Sequence, residues 1–352
     1  MLPSMFSLRS LALAKVAVVI CNDPEIRVSH YVSRHLSDEC IAKQMKRILL
    51  IQKKISNLNL PLVLEKDMNI LMGPISDEIA GWKMDHSTIL GDTVMGDDME
   101  YIWKDKGTID RLKTAKHYTE CESKDISLRF QMACVYWLED AAKRLWDEMP
   151  ETTRRDLSAV RSQDQEWETA VEDWITMLKS GASDWRQHSF SHPLPWYCQD
   201  SLVIQGNLLQ QLPLGDQMHV LRDVMKKDVP IRTRSFCLSR LDAKQFAEVF
   251  EKEPLNGFLG LLHWPFYLQY HEVADRIFAN LTEDEFCEGL TRLVFEKMRW
   301  KLSRGAYLRL LNDVWFTSPE RFKEHIEHTE FFGSLEFILN CNFKSVFDVW
   351  PM

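Results

Sequence analysis

Residues 129–150 read RFQMACVYWLEDAAKRLWDEMP, and this stretch decides the fold class. Its large apolar residues recur at spacings of three and four, which places them on one face of an α-helix. They are Phe130, Ala133, Cys134, Trp137, Leu138, Ala141, Leu145 and Trp146. The charged residues fall on the other side, and Met149-Pro150 ends the pattern. The stretch therefore predicts one amphipathic helix that packs on other helices.

The same helical spacing recurs along most of the chain, while turn-forming residues are scarce. Glycine and proline number 13 each among 352 residues, fewer than a β-sandwich or an α/β protein of this length needs. Thr282 and Glu285 have the spacing of a capping box, and Ser318-Pro319 combines a capping residue with proline at a helix start. We therefore predict an all-α fold, an irregular array of helical hairpins that resembles an α-solenoid.

Breaks in the helical pattern predict three parts. Gly73-Pro74 is expected to end the first part, because glycine and proline interrupt helices. A cluster of glycines and an acidic run follow it. We predict a small N-terminal helical unit at residues 1–72, a loop-rich connector at 73–110 and a helical repeat-like array at 111–352.

Charge and hydropathy narrow the classes of partner. The net charge is −9 and the pI is about 5.7, which argues against nucleic acid, because phosphate binding needs a basic face. No apolar run reaches the length of about 18 residues that spans a membrane, so no membrane partner is predicted. Basic residues outnumber acidic ones in residues 1–54, so a basic N-terminal face could bind an acidic partner.

Cysteine usage indicates the compartment. The eight cysteines form no CxxC pair and no zinc spacing, and several lie within apolar helical patterns. Free, buried thiols fit a reducing compartment, so we predict a cytoplasmic protein. The alternative is mitochondrial, because residues 1–15 lack acidic residues and contain Ser, Arg and Leu, as a presequence would.

No motif indicates catalysis or cofactor binding. The chain has neither a glycine-rich phosphate loop nor a hydrolase or zinc-protease signature. His188, His192 and Cys198 offer metal-binding atoms, but a fourth ligand is missing. We predict no catalytic residues, no cofactor and no metal site. The leading hypothesis is a non-enzymatic intracellular interaction or scaffold protein that binds another protein. The alternative is a helical enzyme whose site joins residues distant in sequence.

Two segments resemble a known family. Residues 129–150 and the opening SLRSLALAKVAVVICNDPEI, residues 7–26, are similar to segments of a large set of uncharacterised arthropod proteins built from helical repeats. The resemblance covers these two segments directly, and the helical rhythm extends it over most of the chain. It implies an intracellular helical-repeat fold and no known activity.

The N-terminus also resembles the SOCS/VHL box of ubiquitin-ligase adaptors. In those proteins a short helix of the form (S/T/P)LxxxCxxxΦ docks on elongin, and a later LPxxL segment faces the cullin. Here Ser7-Leu8 begins the first pattern, although Ala12 replaces the cysteine, and Leu60-Pro61 begins the second after a longer gap. The partner-binding residues that this resemblance implies are Leu8, Ala12, Val16, Leu60, Pro61 and Leu64.

Three hypotheses for the first helix follow. As a core helix, it buries Leu8, Leu11, Ala12 and Val19 against residues 41–64. As a presequence, it packs on nothing. As an adaptor helix, it packs on residues 60–72 and leaves an apolar patch exposed for a partner. The core helix is the expectation.

Overall fold

A computed structural model describes residues 7–28, 38–94, 99–159, 166–181, 202–204, 206–227, 229–297 and 303–340. Its secondary structure is helical, with α1–α19 and no strand in those ranges. The first helices are α1 (Leu8–Cys21), α2 (Pro24–Val28), α3 (Asp38–Ser56), α4 (Leu62–Val94), α5 (Arg111–Glu120), α6 (Ile126–Val135), α7 (Glu139–Glu148), α8 (Glu151–Ala159) and α9 (Glu166–Ser180). The all-α prediction is confirmed.

The second half of the chain continues in the same way. Its helices are α10 (Gly206–Gln210), α11 (Leu214–Met225), α12 (Ile231–Arg240), α13 (Ala243–Lys252), α14 (Pro254–Leu261), α15 (Tyr270–Asn280), α16 (Glu283–Arg292), α17 (Arg304–Thr317), α18 (Glu320–Glu327) and α19 (Phe331–Asn340). A 3₁₀ segment at Phe266–Gln269 precedes α15, and a π-helical segment at Leu293–Lys297 follows α16.

The chain forms two compact units that are each discontinuous in sequence. Unit 1 comprises the described residues of 1–81, 103–108 and 225–352. Unit 2 comprises those of 82–102 and 109–224. The N-terminal helices thus share a unit with the last third of the chain, a division that differs from the three consecutive parts expected from the sequence.

The predicted connector is wrong over its first half, because α4 continues through Gly73-Pro74 to Val94. Proline inside a helix removes one backbone hydrogen bond, yet here the helix does not end. Apolar side chains at helical spacing are buried on both sides of the proline, among them Met72, Ile75, Ile79 and Trp82. Burial of this stripe outweighs the local break signal. In the rest of the predicted connector, residues 99–110 form no helix.

The stretch at 129–150 forms two helices, α6 and α7, where one was predicted. Trp137 adopts a left-handed φ of 54° between them. The amide of Leu138 donates to the carbonyl of Ala133 at 2.8 Å, and that of Trp137 donates to Cys134 at 3.0 Å. This pair of bonds is the Schellman pattern that ends helices. The predicted apolar residues are nevertheless buried in both helices, except Ala141, which is half-buried.

The two predicted helix starts have different outcomes. The capping box at α16 is confirmed, since Thr282 Oγ1 accepts from the Glu285 amide at 3.3 Å while the Glu285 carboxylate accepts from the Thr282 amide. At the second signal a helix does start, since α18 begins at Glu320, but Ser318 does not cap it. Its hydroxyl donates back to the carbonyl of Trp315 at 2.7 Å, so Ser318 closes α17. Pro319 then occupies the N-cap of α18 without a side-chain cap.

Candidate interaction surface

The first helix begins at a capped serine. The side chain of Ser7 accepts a hydrogen bond from the amide of Ser10 at 3.1 Å, which satisfies one of the amides that a helix start leaves open. Leu8 is therefore the first residue inside the helix. The cap fixes where α1 starts and so sets which residues each of its faces carries.

The first helix lies beside α4 and runs parallel to it. Near the start of both helices, the Arg9 guanidinium forms an ion pair with the Asp67 carboxylate. Further along both, Cys21 Sγ lies 3.6 Å from Ser76 Oγ. Residues of α1 with rising numbers thus meet residues of α4 with rising numbers. This places the first turn of α1 next to the residues that open α4.

The buried face of α1 is the opposite of the expected one. Its buried residues are Leu13, Ala14, Ala17, Ile20 and Cys21. Leu8 is 86% exposed and Val19 is 70% exposed, while Ala12 is exposed and Leu11 is half-buried. The prediction that these four residues form the core contact is wrong. Apolar residues occupy both faces of α1, so spacing alone cannot choose between them.

The exposed residues of α1 form a single stripe along the helix. Leu8, Ala12, Lys15 and Val19 are all exposed, and successive members are separated by four, three and four positions. That spacing puts them on one side of a helix. We call this stripe the outer face of α1. Val16, which the adaptor resemblance assigns to a partner, is half-buried beside it.

The start of α4 carries a second exposed apolar group. Of the residues matched to the LPxxL pattern, Pro61 is exposed, whereas Leu60 and Leu64 are half-buried. The most exposed apolar residues lie between them, since Leu62 is 66% exposed and Val63 is 62% exposed. The pattern match overlooked both. The signal that could have found them is the apolar run LPLVL at a helix start, where a helix can bury only one side.

Two arginines hold Asp67 between these apolar groups. Besides Arg9 of α1, Arg309 of α17 approaches Asp67 at 3.4 Å. Both arginine side chains are about half exposed or more, whereas that of Asp67 is mostly covered. Ion pairs this close to solvent contribute little to stability. The two ion pairs nevertheless join α1, α4 and α17 at one place on unit 1.

A second cluster is buried in unit 2, and the sequence pattern gave no sign of it because it joins residues of the predicted connector to residues of the predicted array. His86 is fully buried, with Nδ1 2.6 Å from the Trp82 carbonyl oxygen and Nε2 2.8 Å from the Tyr136 hydroxyl. Since a carbonyl oxygen accepts only, Nδ1 donates, and Nε2 can accept from the hydroxyl. The Asp85 carboxylate pairs with Arg111 at 2.5 Å. Burial raises the pKa of Tyr136, which keeps its hydroxyl neutral.

This buried cluster joins helices. His86 and Asp85 belong to α4, Arg111 belongs to α5, and Tyr136 lies at the break after α6. The Trp82 ring stacks on His86 with 3.9 Å between centroids. Each titratable group is thus engaged with a neighbouring element, and the contacts fix how three helices of unit 2 meet.

Cys21 of unit 1 is also buried, beside Ser76 and Arg47. The Arg47 guanidinium donates to Ser76 Oγ at 3.0 Å. Burial raises the pKa of the Cys21 thiol, against the smaller opposing effects of Arg47 and Ser76. A thiol rather than a thiolate is therefore favoured, which does not suit a nucleophile.

Within the described ranges, no group of three or more His, Cys, Asp or Glu side chains is placed to hold a metal ion. In the same ranges no helix is both long enough and apolar enough to cross a membrane. The histidines and cysteine weighed as metal ligands, His188, His192 and Cys198, lie outside the described residues.

Comparison of the chain with protein-family models, with curated proteins and with solved structures gives no match.

Proposed function

We propose that this protein is a non-enzymatic interaction protein that binds another protein through the outer face of α1 and the adjoining start of α4. The observation that carries the proposal is the exposure of Leu8 and Val19 on α1 together with Leu62 and Val63 on α4. Exposed large apolar residues that stand singly are ordinary, but grouped ones mark interaction sites.

The inverted burial of α1 supports the proposal. The helix buries the side that carries Leu13, Ala14, Ala17 and Ile20, and it leaves Leu8 and Val19 exposed on the opposite side. Burying a large apolar side chain contributes about 1.5–3 kcal/mol. A partner that covers the exposed apolar residues of α1 would therefore gain binding free energy from their burial. Proteins commonly bury such a face by docking an amphipathic helix of one protein in an apolar groove of the other.

The test compares two variants of matched exposure. The first is Leu8→Gln/Val19→Gln on the outer face, and the second is Leu214→Gln on α11, a leucine that is 72% exposed. Tagged full-length proteins are cross-linked in cells and their partners quantified by mass spectrometry. We expect the double variant to lose at least about tenfold of the partner signal, as loss of about 1.4 kcal/mol of binding would produce.

The Leu214 variant controls for added polarity and for expression, and should keep its partners. Equal recovery with both variants would remove the outer face as the binding site. A turnover activity that survives the double variant, with no partner recovered, would refute the proposed function as a whole.

A ubiquitin-ligase adaptor is the second candidate function, and a specific arrangement favours it. A capped serine precedes an exposed leucine at the start of α1, and the exposed Pro61 opens α4 where α1 begins. The order of these two segments is the one in the SOCS/VHL box that the sequence resembles, where an elongin-binding helix precedes a cullin-facing segment. The departures are Ala12 in place of the cysteine and the half-buried state of Val16 and Leu64.

Reconstitution tests the adaptor hypothesis directly. The purified chain is mixed with the elongin B–C complex and analysed by size-exclusion chromatography. We expect co-elution that Leu8→Gln abolishes and that Ala12→Cys strengthens, since the cysteine restores the pattern. Absence of co-elution with both the natural chain and the Ala12→Cys variant would eliminate this candidate, and would leave the general interaction proposal standing.

A further inference from the structure

The charges around the exposed apolar residues indicate what kind of partner this surface takes. Val63 and Asp67 are one turn apart and so share a side of α4. Asp67 is contacted by Arg9, the neighbour of Leu8, and by Arg309 of α17. Leu8 and Val63 are therefore close neighbours, along α1 and α4, of the residues that form this ion-pair cluster.

One carboxylate does not use all that these arginines offer. A guanidinium carries five N–H donors in a rigid fork, and two such groups converge on the single Asp67 side chain. Lys66, the residue before Asp67 in α4, is exposed as well. Two cations thus share one carboxylate, so this ion-pair cluster keeps an excess of positive charge beside the apolar residues.

We propose that the occupant of this surface is an acidic amphipathic helix of another protein, whose apolar residues cover Leu8, Leu62 and Val63 and whose carboxylates bind Arg9 and Arg309. This inference rests on the proposed function and names the chemistry of the partner. The argument is charge complementarity, because positive groups beside an apolar patch select carboxylates and repel cations.

The arginines suit carboxylates in particular. Their planar forks pair with carboxylates through two parallel hydrogen bonds, and such charge-assisted bonds are about twice as strong as neutral ones. Covering Leu8 and Val63 excludes water from the neighbouring guanidinium groups, which strengthens the same bonds. Apolar and ionic contacts therefore reinforce each other when a helix carries both at the spacing of one face.

Nucleic acid fits this surface less well. Its backbone supplies phosphate charge but few apolar groups to cover leucine and valine side chains, and the chain as a whole carries a net charge of −9. An anionic membrane surface supplies both kinds of contact, so it is kept as an outcome of the test.

The experiment selects binders without assuming a partner. A displayed library of amphipathic helices is prepared with leucine at positions i, i+3 or i+4, and i+7, and with random polar residues elsewhere. The full-length protein is the bait, and clones that also bind the Leu8→Gln/Val63→Gln variant are removed. We expect the remaining clones to be enriched in Asp and Glu next to the leucines.

Synthetic peptides then test the role of the arginines. An enriched acidic peptide should bind the Arg9→Gln/Arg309→Gln variant at least about tenfold more weakly than the natural chain, as loss of about 1.4 kcal/mol gives. Its Kd should also rise with salt, because screening weakens exposed ionic contacts. Arg222→Gln, on α11 of unit 2, is the control for general loss of positive charge. Thermal unfolding of each variant confirms that the fold is retained.

The outcomes separate the two proposals. Clones that depend on Leu8 and Val63 but are neutral or basic would overturn the acidic partner and keep the interaction surface. No clone that depends on Leu8 and Val63 would overturn both. Binding to vesicles of phosphatidylcholine with phosphatidylserine, in the absence of any peptide binding, would replace the acidic helix with a membrane surface.

Discussion

The α6–α7 stretch in unit 2 and α1 in unit 1 are both rich in apolar residues, but the two regions place them differently. In α6–α7 the large side chains point inward, and rings such as Phe130 and Trp146 lie 5.4 Å apart. In α1 only one side, with Leu13, Ala17 and Ile20, is buried, while Leu8 and Val19 on the other side face solvent. A core explains the first arrangement. The second leaves an apolar face that the chain itself does not cover.

Charged residues account for this difference. The outward side of α7 carries Glu139, Asp140 and Arg144, so one face only can be buried. The charged residues of α1 are Arg9 and Lys15, which leave apolar residues on both sides of the helix. The side that is buried carries Leu13, Ala14, Ala17 and Ile20, and the opposite side stays exposed. Substitutions of apolar residues should therefore change the free energy of unfolding strongly in α6–α7 and little on the outer face of α1.

The largest effect is expected at Trp137 in the α6–α7 stretch. Its ring is buried and lies 5.1 Å from that of Trp174. Trp137→Ala should reduce the free energy of unfolding by about 3–5 kcal/mol, as other large-to-small core changes do. Urea denaturation followed by circular dichroism measures the loss.

The backbone at Trp137 makes this test sharper. At a φ of 54° an alanine is strained and a glycine is not. Trp137→Gly should therefore be at least as stable as Trp137→Ala, although it is smaller. A glycine variant that is clearly less stable than the alanine variant would contradict the Schellman turn between α6 and α7.

The next effect compares two alanines on opposite sides of α1. Ala17 is fully buried, whereas Ala12 belongs to the exposed outer face. Ala17→Leu should destabilise the protein by about 1–3 kcal/mol through overpacking. Ala12→Leu should change stability by less than about 0.5 kcal/mol, since leucine and alanine are both good helix formers. Thermal and urea unfolding of the pair decide the orientation of α1, and equal losses would mean that the outer face is not exposed.

These cases show how far the sequence could predict the molecule. Helix class followed from the spacing of large apolar residues, and the Thr282 capping box followed from a local signal that the structure confirms. Local signals led to wrong predictions where contacts elsewhere in the structure compete with them. Pro74 predicts a helix end from the local sequence alone, but α4 continues because Ile75 and Ile79 around the proline are buried, which depends on other helices. Ser318 was assigned to the wrong helix, because its hydroxyl can serve either end.

The exposed residues of the candidate surface could be predicted only in part, because exposure also depends on distant contacts. The adaptor pattern named Leu8, Ala12 and Pro61, which are exposed, but it passed over Leu62 and Val63. Exposure is set by neighbours distant in sequence, such as Arg309 from α17. No pattern within residues 1–72 contains that information.

A third prediction concerns the buried cluster of unit 2. Tyr136→Phe removes the hydroxyl that lies 2.8 Å from Nε2 of His86, and loss of a partner to a buried polar group costs about 1–3 kcal/mol. The effect depends on pH. Burial raises the pKa of Tyr136, so its share of stability is complete below the unfolded value of about 10 and falls as the pH rises above it.

Urea unfolding at pH 8 and at pH 10.5 tests both parts of this prediction. The natural chain should lose more stability between the two values than Tyr136→Phe does, because phenylalanine cannot ionise. Tyr101→Phe is a useful comparison, since the Tyr101 ring also contacts Trp82. An identical alkaline slope in the natural chain and in Tyr136→Phe would mean that Tyr136 is not the buried acid that the geometry requires.

The smallest effect is expected at the two large exposed apolar residues of α1, Leu8 and Val19. Leu8→Gln/Val19→Gln should leave the free energy of unfolding within about 0.5 kcal/mol of the natural value, because neither side chain packs in the protein and glutamine is compatible with a helix. The same substitution in a core stripe would bury an amide without a partner and would be severely destabilising. Phe130→Gln in α6 provides that contrast. If the double variant of α1 lost more than about 1 kcal/mol, Leu8 and Val19 would be contacting other parts of the chain. The outer face would then be a core face after all, and any loss of partner binding in this variant would reflect misfolding. A near-zero change instead separates folding from binding at this helix.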